Sequence, residues 1–119
     1  MRTKLELPAA YKEELCRLLI VHVPHATVVA FGSRVHPIAS SPRCHEGSDL
    51  DLVIRYEQTS NTQAPRIHAL REALRESALP ILVDVHDWNN LPATFHKEIL
   101  ACHYVLQKGD ETTIAPASN

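Results

Sequence analysis

Asp49 and Asp51 stand two positions apart in Ser48-Asp49-Leu50-Asp51-Leu52-Val53-Ile54, where the acids alternate with aliphatic side chains. Successive side chains of a β-strand project to opposite faces. This spacing therefore predicts both carboxylates on one face, with Leu50, Leu52 and Ile54 on the other. Asp is poorly suited to strand interiors, and like charges on one face repel unless something positive lies between them. A divalent cation fits that need. Magnesium is hard, prefers oxygen, and usually takes one or two protein carboxylates together with substrate phosphates and water. Upstream, Phe31-Gly32-Ser33-Arg34 closes an apolar run, and a glycine there lets the backbone turn N–H groups towards a phosphate. A third acid is Asp84, flanked by Val83 and Val85, an expensive place for a carboxylate that is neither paired nor bound to metal. By parity Leu82, Asp84 and His86 share one face of that run, and Val83, Val85 and Asp87 share the other. Asp84 is preferred as the third carboxylate, with Asp87 at the strand end as the alternative and a turn cap as its ordinary role.

Gly-Ser, then a loop, then Asp-x-Asp continuing into Leu52-Val53-Ile54 resembles the nucleotidyltransferase superfamily of DNA polymerase beta. The chain looks most like its smallest members, the minimal nucleotidyltransferase (MNT) antitoxins of HEPN–MNT toxin–antitoxin systems. The likeness extends over about residues 10 to 106. It implies an α/β (α+β) fold with a small mixed sheet flanked by helices. It also implies a type VII-like antitoxin that uses Mg2+ and ATP to transfer AMP to a tyrosine of a HEPN toxin, which is thereby neutralised. Carried over residue by residue, Asp49, Asp51 and Asp84 are the catalytic and metal-binding carboxylates. Gly32, Ser33, Arg34 and Ser48 are the nucleotide-binding residues. A short helix after Gly-Ser, with its N-terminus towards the triphosphate, belongs to the same pattern. Two features depart from it: His36-Pro37 replaces the Arg-Gly expected soon after Arg34, and the loop before Asp49 is longer than usual. Two other readings compete. One is a non-catalytic antitoxin that masks its toxin by direct binding; the other is a subunit that modifies a small molecule beside a helical substrate-binding partner.

The acids and the glycine need a sheet to hold them. Tyr11, Leu15, Leu18 and Leu19 recur at helical spacing, predicting a helix from Pro8 to His22 that ends before Pro24. Thr27 to Phe31 reads as a buried strand that delivers Gly32 and Ser33 at its tip. The stretch from Val35 to Gly47, with Pro37 and Pro42, reads as irregular, and Asp49 to Tyr56 as the second strand. Ile67, Leu70, Leu74 and Ala78 line one face of a predicted helix from Pro65 to Ala78, with Arg66, Arg71 and Arg75 on a solvated face. Pro80 to Asp87 reads as the third strand. A last helix opens at Leu91-Pro92, with Phe95, Ile99 and Cys102 on one side as a cover for the sheet, and Tyr104-Val105-Leu106 closes the fold.

With 119 residues the chain fits one nucleotidyltransferase domain, with a core of about 8–107 and a polar tail at 108–119. Apolar residues make up 45%, enough for a packed core, and a formal net charge of −2 offers no broad basic field for nucleic acid or anionic membrane. No window approaches the roughly 18 apolar residues of a membrane span, and the start lacks the apolar core of a signal peptide, so a cytoplasmic protein is expected. Cys16, Cys44 and Cys102 are odd in number and far apart, which argues for free thiols rather than a disulfide framework. The 8 histidines show no repeated ligand spacing.

Overall fold

The computed structural model describes residues 2–38, 49–56 and 63–109. Ser48, Cys44, His45 and the polar tail beyond Gly109 lie outside them.

Among the described residues the order is β1 (Thr3–Leu5), α1 (Ala9–His22), β2 (Thr27–Phe31), β3 (Val35–Pro37), β4 (Leu50–Arg55), α2 (Gln63–Glu76), β5 (Val83–Asp87), a 3-10 turn (Trp88–Asn90), α3 (Ala93–Ala101) and β6 (Tyr104–Gln107). A four-stranded sheet runs β5-β4-β2-β6, and β1 and β3 form a separate two-stranded ribbon. β2 is antiparallel to both of its neighbours, while β4 and β5 are parallel. A parallel pair needs a crossover, and α2 supplies it.

The alternation in the strands sorts their side chains as the spacing predicts. Val28 and Ala30 of β2, Leu50, Leu52 and Ile54 of β4, and Val85 of β5 join Leu15, Leu18 and Leu19 of α1 and Ile67, Leu70 and Leu74 of α2 in one core. At roughly 1.5–3 kcal/mol for each fully buried aliphatic side chain, this packing holds both helices on one face of the sheet. The other face carries Thr27, Val29, Phe31, Asp51, Val53 and Arg55. There Val53 and Ile99 of α3 are each 1% exposed and lie outside that core cluster. Helix α3 thus covers part of this face. Its Phe95 is 45% exposed and does not serve as the cover that the helical spacing suggested.

One expectation along the chain needs correction. The chain after Gly32-Ser33 does not enter a helix. The Val35 amide closes a turn on the Gly32 carbonyl at 3.0 Å, and Val35–Pro37 then pairs with Thr3–Leu5 as a ribbon. Pro37 at the strand end and the short antiparallel partner make this extended path possible where a helix would leave β1 unpaired. The arginines of α2, Arg66, Arg71 and Arg75, are exposed as the helical spacing predicts, and Arg71 also reaches the sheet. Arg71 donates from Nε and Nη2 to the Val85 carbonyl at 3.2 and 2.7 Å, capping edge strand β5, whereas Arg75 makes an exposed pair with Glu72.

Candidate active site

Asp51 and Asp84 come side by side because of register. β4 and β5 lie side by side with Asp51 opposite Asp84, and β2 and β4 place Phe31 opposite Asp51. Residues paired across adjacent strands project to the same side. Since Leu52 and Val85, the next pair, are buried in the core, Asp51 and Asp84 stand on the opposite face. Asp49 lies just before β4, exposed. Burial first, and then the Asp84 carboxylate, push the Asp51 carboxyl above its ordinary value; Asp49 adds to this, while His86 opposes it. A negative charge at Asp51 is therefore costly and calls for a cation or a proton.

Gly32 explains why a glycine precedes this cluster. Its φ is +88°, in the left-handed region, and a Cβ there would stand 2.5 Å from Asp51 Oδ2. Backbone and carboxylate touch at this point, so only a residue without a side chain fits without displacing one of them. Ser33 follows in the exposed turn.

Arg34 is placed otherwise than the phosphate loop requires. It is 4% exposed, and its Nη1 donates to the Glu6 carbonyl at 2.6 Å, while the Glu6 amide donates back to the Arg34 carbonyl at 2.7 Å. Its charge thus ties β3 to the segment after β1. Asp87 does not face Asp51 either: its carboxylate caps the 3-10 turn by accepting from the Asn89 amide at 3.0 Å.

A further residue that the acid pattern does not include, His86, faces Asp51. His86 Nε2 lies 3.7 Å from Asp51 Oδ1, and its ring tilts against Phe31 with centroids 5.7 Å apart. The signal was available in the parity that puts Asp84 and His86 on one face.

Among the described residues no group of three acid, histidine or cysteine side chains is gathered tightly enough to cage an ion alone. Magnesium usually takes one or two protein carboxylates and leaves its other positions to phosphates and water. The all-oxygen donors Asp49, Asp51 and Asp84, together with the raised Asp51 carboxyl, fit such an ion.

Comparisons with known proteins bear on the family and the fold. Residues 13–112 match the family described as polymerase beta, nucleotidyltransferase. The probable protein adenylyltransferase MntA of Haemophilus influenzae is 36% identical over 96 residues, which span 81% of this chain and 78% of the relative. Among solved structures, a toxin–antitoxin with AMP-PNP superposes with a TM-score of 0.59 at 20% identity, covering 85% of this chain and 76% of that one. A tri-AMPylated Shewanella oneidensis HEPN toxin in complex with MNT antitoxin gives 0.52 at 16% identity, covering 89% and 76%. At those identities the structures speak for the fold, which the family match and the Haemophilus relative carry further. With Asp51 and Asp84 in register beside Gly32, the chain belongs to the polymerase beta nucleotidyltransferase family.

Proposed function

We propose that this nucleotidyltransferase is a protein adenylyltransferase and the antitoxin of a toxin–antitoxin pair, transferring AMP from ATP to a tyrosine hydroxyl of a HEPN-type toxin. The observation that carries the reading is the in-register pair Asp51 and Asp84 with Gly32 against the Asp51 carboxylate. The relative named an adenylyltransferase and the solved complex with a tri-AMPylated toxin support the choice of reaction and acceptor. The complex with AMP-PNP supports ATP as donor.

The reaction is an in-line displacement. The tyrosine oxygen attacks the α-phosphorus, the bond from that phosphorus to the bridging oxygen breaks, and pyrophosphate leaves. Magnesium, when bound, neutralises the phosphate charge and polarises the α-phosphoryl group. Asp49 and Asp51 would hold it, with Asp84 completing the set. Asp84 would also accept the hydroxyl proton as the new bond forms. The turn at Gly32 and Ser33 brings backbone N–H groups to the leaving phosphates. Arg34 supports this turn from behind through its bond to the Glu6 carbonyl.

The test is the intact mass of the HEPN-type partner after incubation with this protein, ATP and magnesium. Whole AMP units are expected with the wild type. Asp49→Asn/Asp51→Asn should slow their appearance by at least about a hundredfold, the scale of losing one main charge-stabilising group. An unchanged mass together with a stable complex would assign the protein instead to masking by direct contact.

A further inference from the structure

On the same sheet face as the acids, but beyond α3, lies a cleft of about 220 Å3 that the transfer reaction does not use. It is lined by Val29 and Val105 of the sheet and Ile99 and Leu100 of α3, together with the exposed Lys108 and the exposed Arg55, whose guanidinium lies over the Trp88 ring at 4.9 Å. Leu100 is 58% and Val105 42% exposed, so large apolar side chains meet solvent here. Among the described residues no carboxylate lines the cleft, although the whole chain carries a formal net charge of −2. Its volume falls below the roughly 300–1,000 Å3 of small-molecule sites and is enough for one large apolar side chain. An apolar notch with exposed basic residues is complementary to an acidic amphipathic surface. Position adds to this: β2 leads from Thr27 at the cleft to Phe31 opposite Asp51, about 13 Å along the strand. A protein anchored in the cleft can therefore reach the carboxylates with a neighbouring segment.

We propose that this cleft is the docking site for an acidic amphipathic segment of the acceptor protein. One large apolar anchor sits between Leu100 and Val105, and carboxylates beside it pair with Arg55 and Lys108. The proposal rests on the protein-acceptor reading and adds to it a contact remote from the chemistry. Such an anchor explains how one protein is selected: the contact lowers the acceptor concentration needed without touching the reacting atoms.

The experiment measures AMP transfer as a function of HEPN-type partner concentration for the wild type, Leu100→Glu, Lys108→Glu and Arg55→Glu/Lys108→Glu, with melting curves for each. Direct binding titrations of the same partner run in parallel. The expected result is an acceptor KM and Kd raised at least about tenfold in the charge-reversed and Leu100 variants, a loss typical of a central anchor. At saturating partner kcat should be unchanged, as should the KM for ATP. Added salt should weaken partner binding by the wild type more than by the double variant. Unchanged acceptor KM and Kd in all folded variants would overturn the proposal. So would a raised KM for ATP, which would assign the cleft to nucleotide, or a wild-type dimer that the variants split, which would assign it to a second copy. If the wild type bound the partner but transferred no AMP, the adenylyltransferase reading would fail, while the Kd values would still decide the docking site.

Discussion

Gly32 joins the backbone and the chemistry in one residue. Its φ of +88° is strained for any L side chain, and an added methyl would meet Asp51 Oδ2 at 2.5 Å. The carboxylate is the end of a side chain and can swing aside, but swinging moves a metal-binding oxygen. Gly32→Ala should therefore cost about 1–2 kcal/mol of stability in a denaturant melt and lower AMP transfer by more than that loss of folded protein explains. Asp51 makes the opposite trade. Burial and Asp84 raise its carboxyl above the ordinary value, so the native state binds this proton more tightly than the unfolded chain does. Stability of the metal-free protein is then unpenalised below the ordinary carboxylate value, falls as pH rises through the window up to the raised value, and stays lowered above it. Asp51→Asn should raise the Tm of the metal-free protein near neutral pH and slow transfer by about a hundredfold, with the Tm difference vanishing in acid. A Tm below that of the wild type in EDTA would show that Asp51 is held by favourable contacts instead. The acids were legible in the sequence because two-residue periodicity encodes a face. His86 was less so, since its meaning depends on which strand lies beside β5, and one strand's sequence does not state its neighbour.

Among the elements, α1, α2, β2 and β4 lie within a residue or two of the periodic runs that predict them, whereas β5 keeps its predicted end at Asp87 but starts at Val83 rather than Pro80. The three-residue strands β1 and β3 did not follow from pattern, because a run that short is below the length at which alternation can be told from chance. Their pairing is tertiary in origin. His36, 3% exposed, meets the Glu6 carboxylate, and Arg34 reaches the Glu6 carbonyl, so the ribbon is fastened by buried polar contacts rather than by apolar burial alone. This also relocates Arg34, whose place after Gly-Ser suggests phosphate while its burial assigns it to the ribbon. Arg34→Met should destabilise the fold by about 1–3 kcal/mol, the range for removing a charged donor from a buried acceptor. The KM for ATP should change little in the fraction that remains folded. A several-fold rise in that KM without loss of Tm would return Arg34 to the phosphates.

At the scale of the molecule, the sheet separates two demands. One face carries α1 and α2 and supplies the core, leaving the other free to hold groups that a stable fold would reject, namely like-charged carboxylates near a half-buried histidine. No helix of the described residues is long and apolar enough to cross a membrane; the carboxylates stand on the open face of the sheet. Such a face is stabilised by what it binds. A ligand present at a hundred times its dissociation constant adds about 2.7 kcal/mol to the folded state, which should appear as a rise in Tm of several degrees. ATP with magnesium should give this rise, and ATP with EDTA much less, because the triphosphate alone brings further negative charge towards Asp51 and Asp84. The increment that depends on magnesium should grow with pH across the window in which the Asp51 carboxyl loses its proton, since the ion competes for the same oxygens. Asp49→Asn/Asp51→Asn should lose that increment while keeping the fold. Equal shifts with and without magnesium in the wild type would mean that the nucleotide is held by the glycine turn alone and that the carboxylates serve only the acceptor hydroxyl.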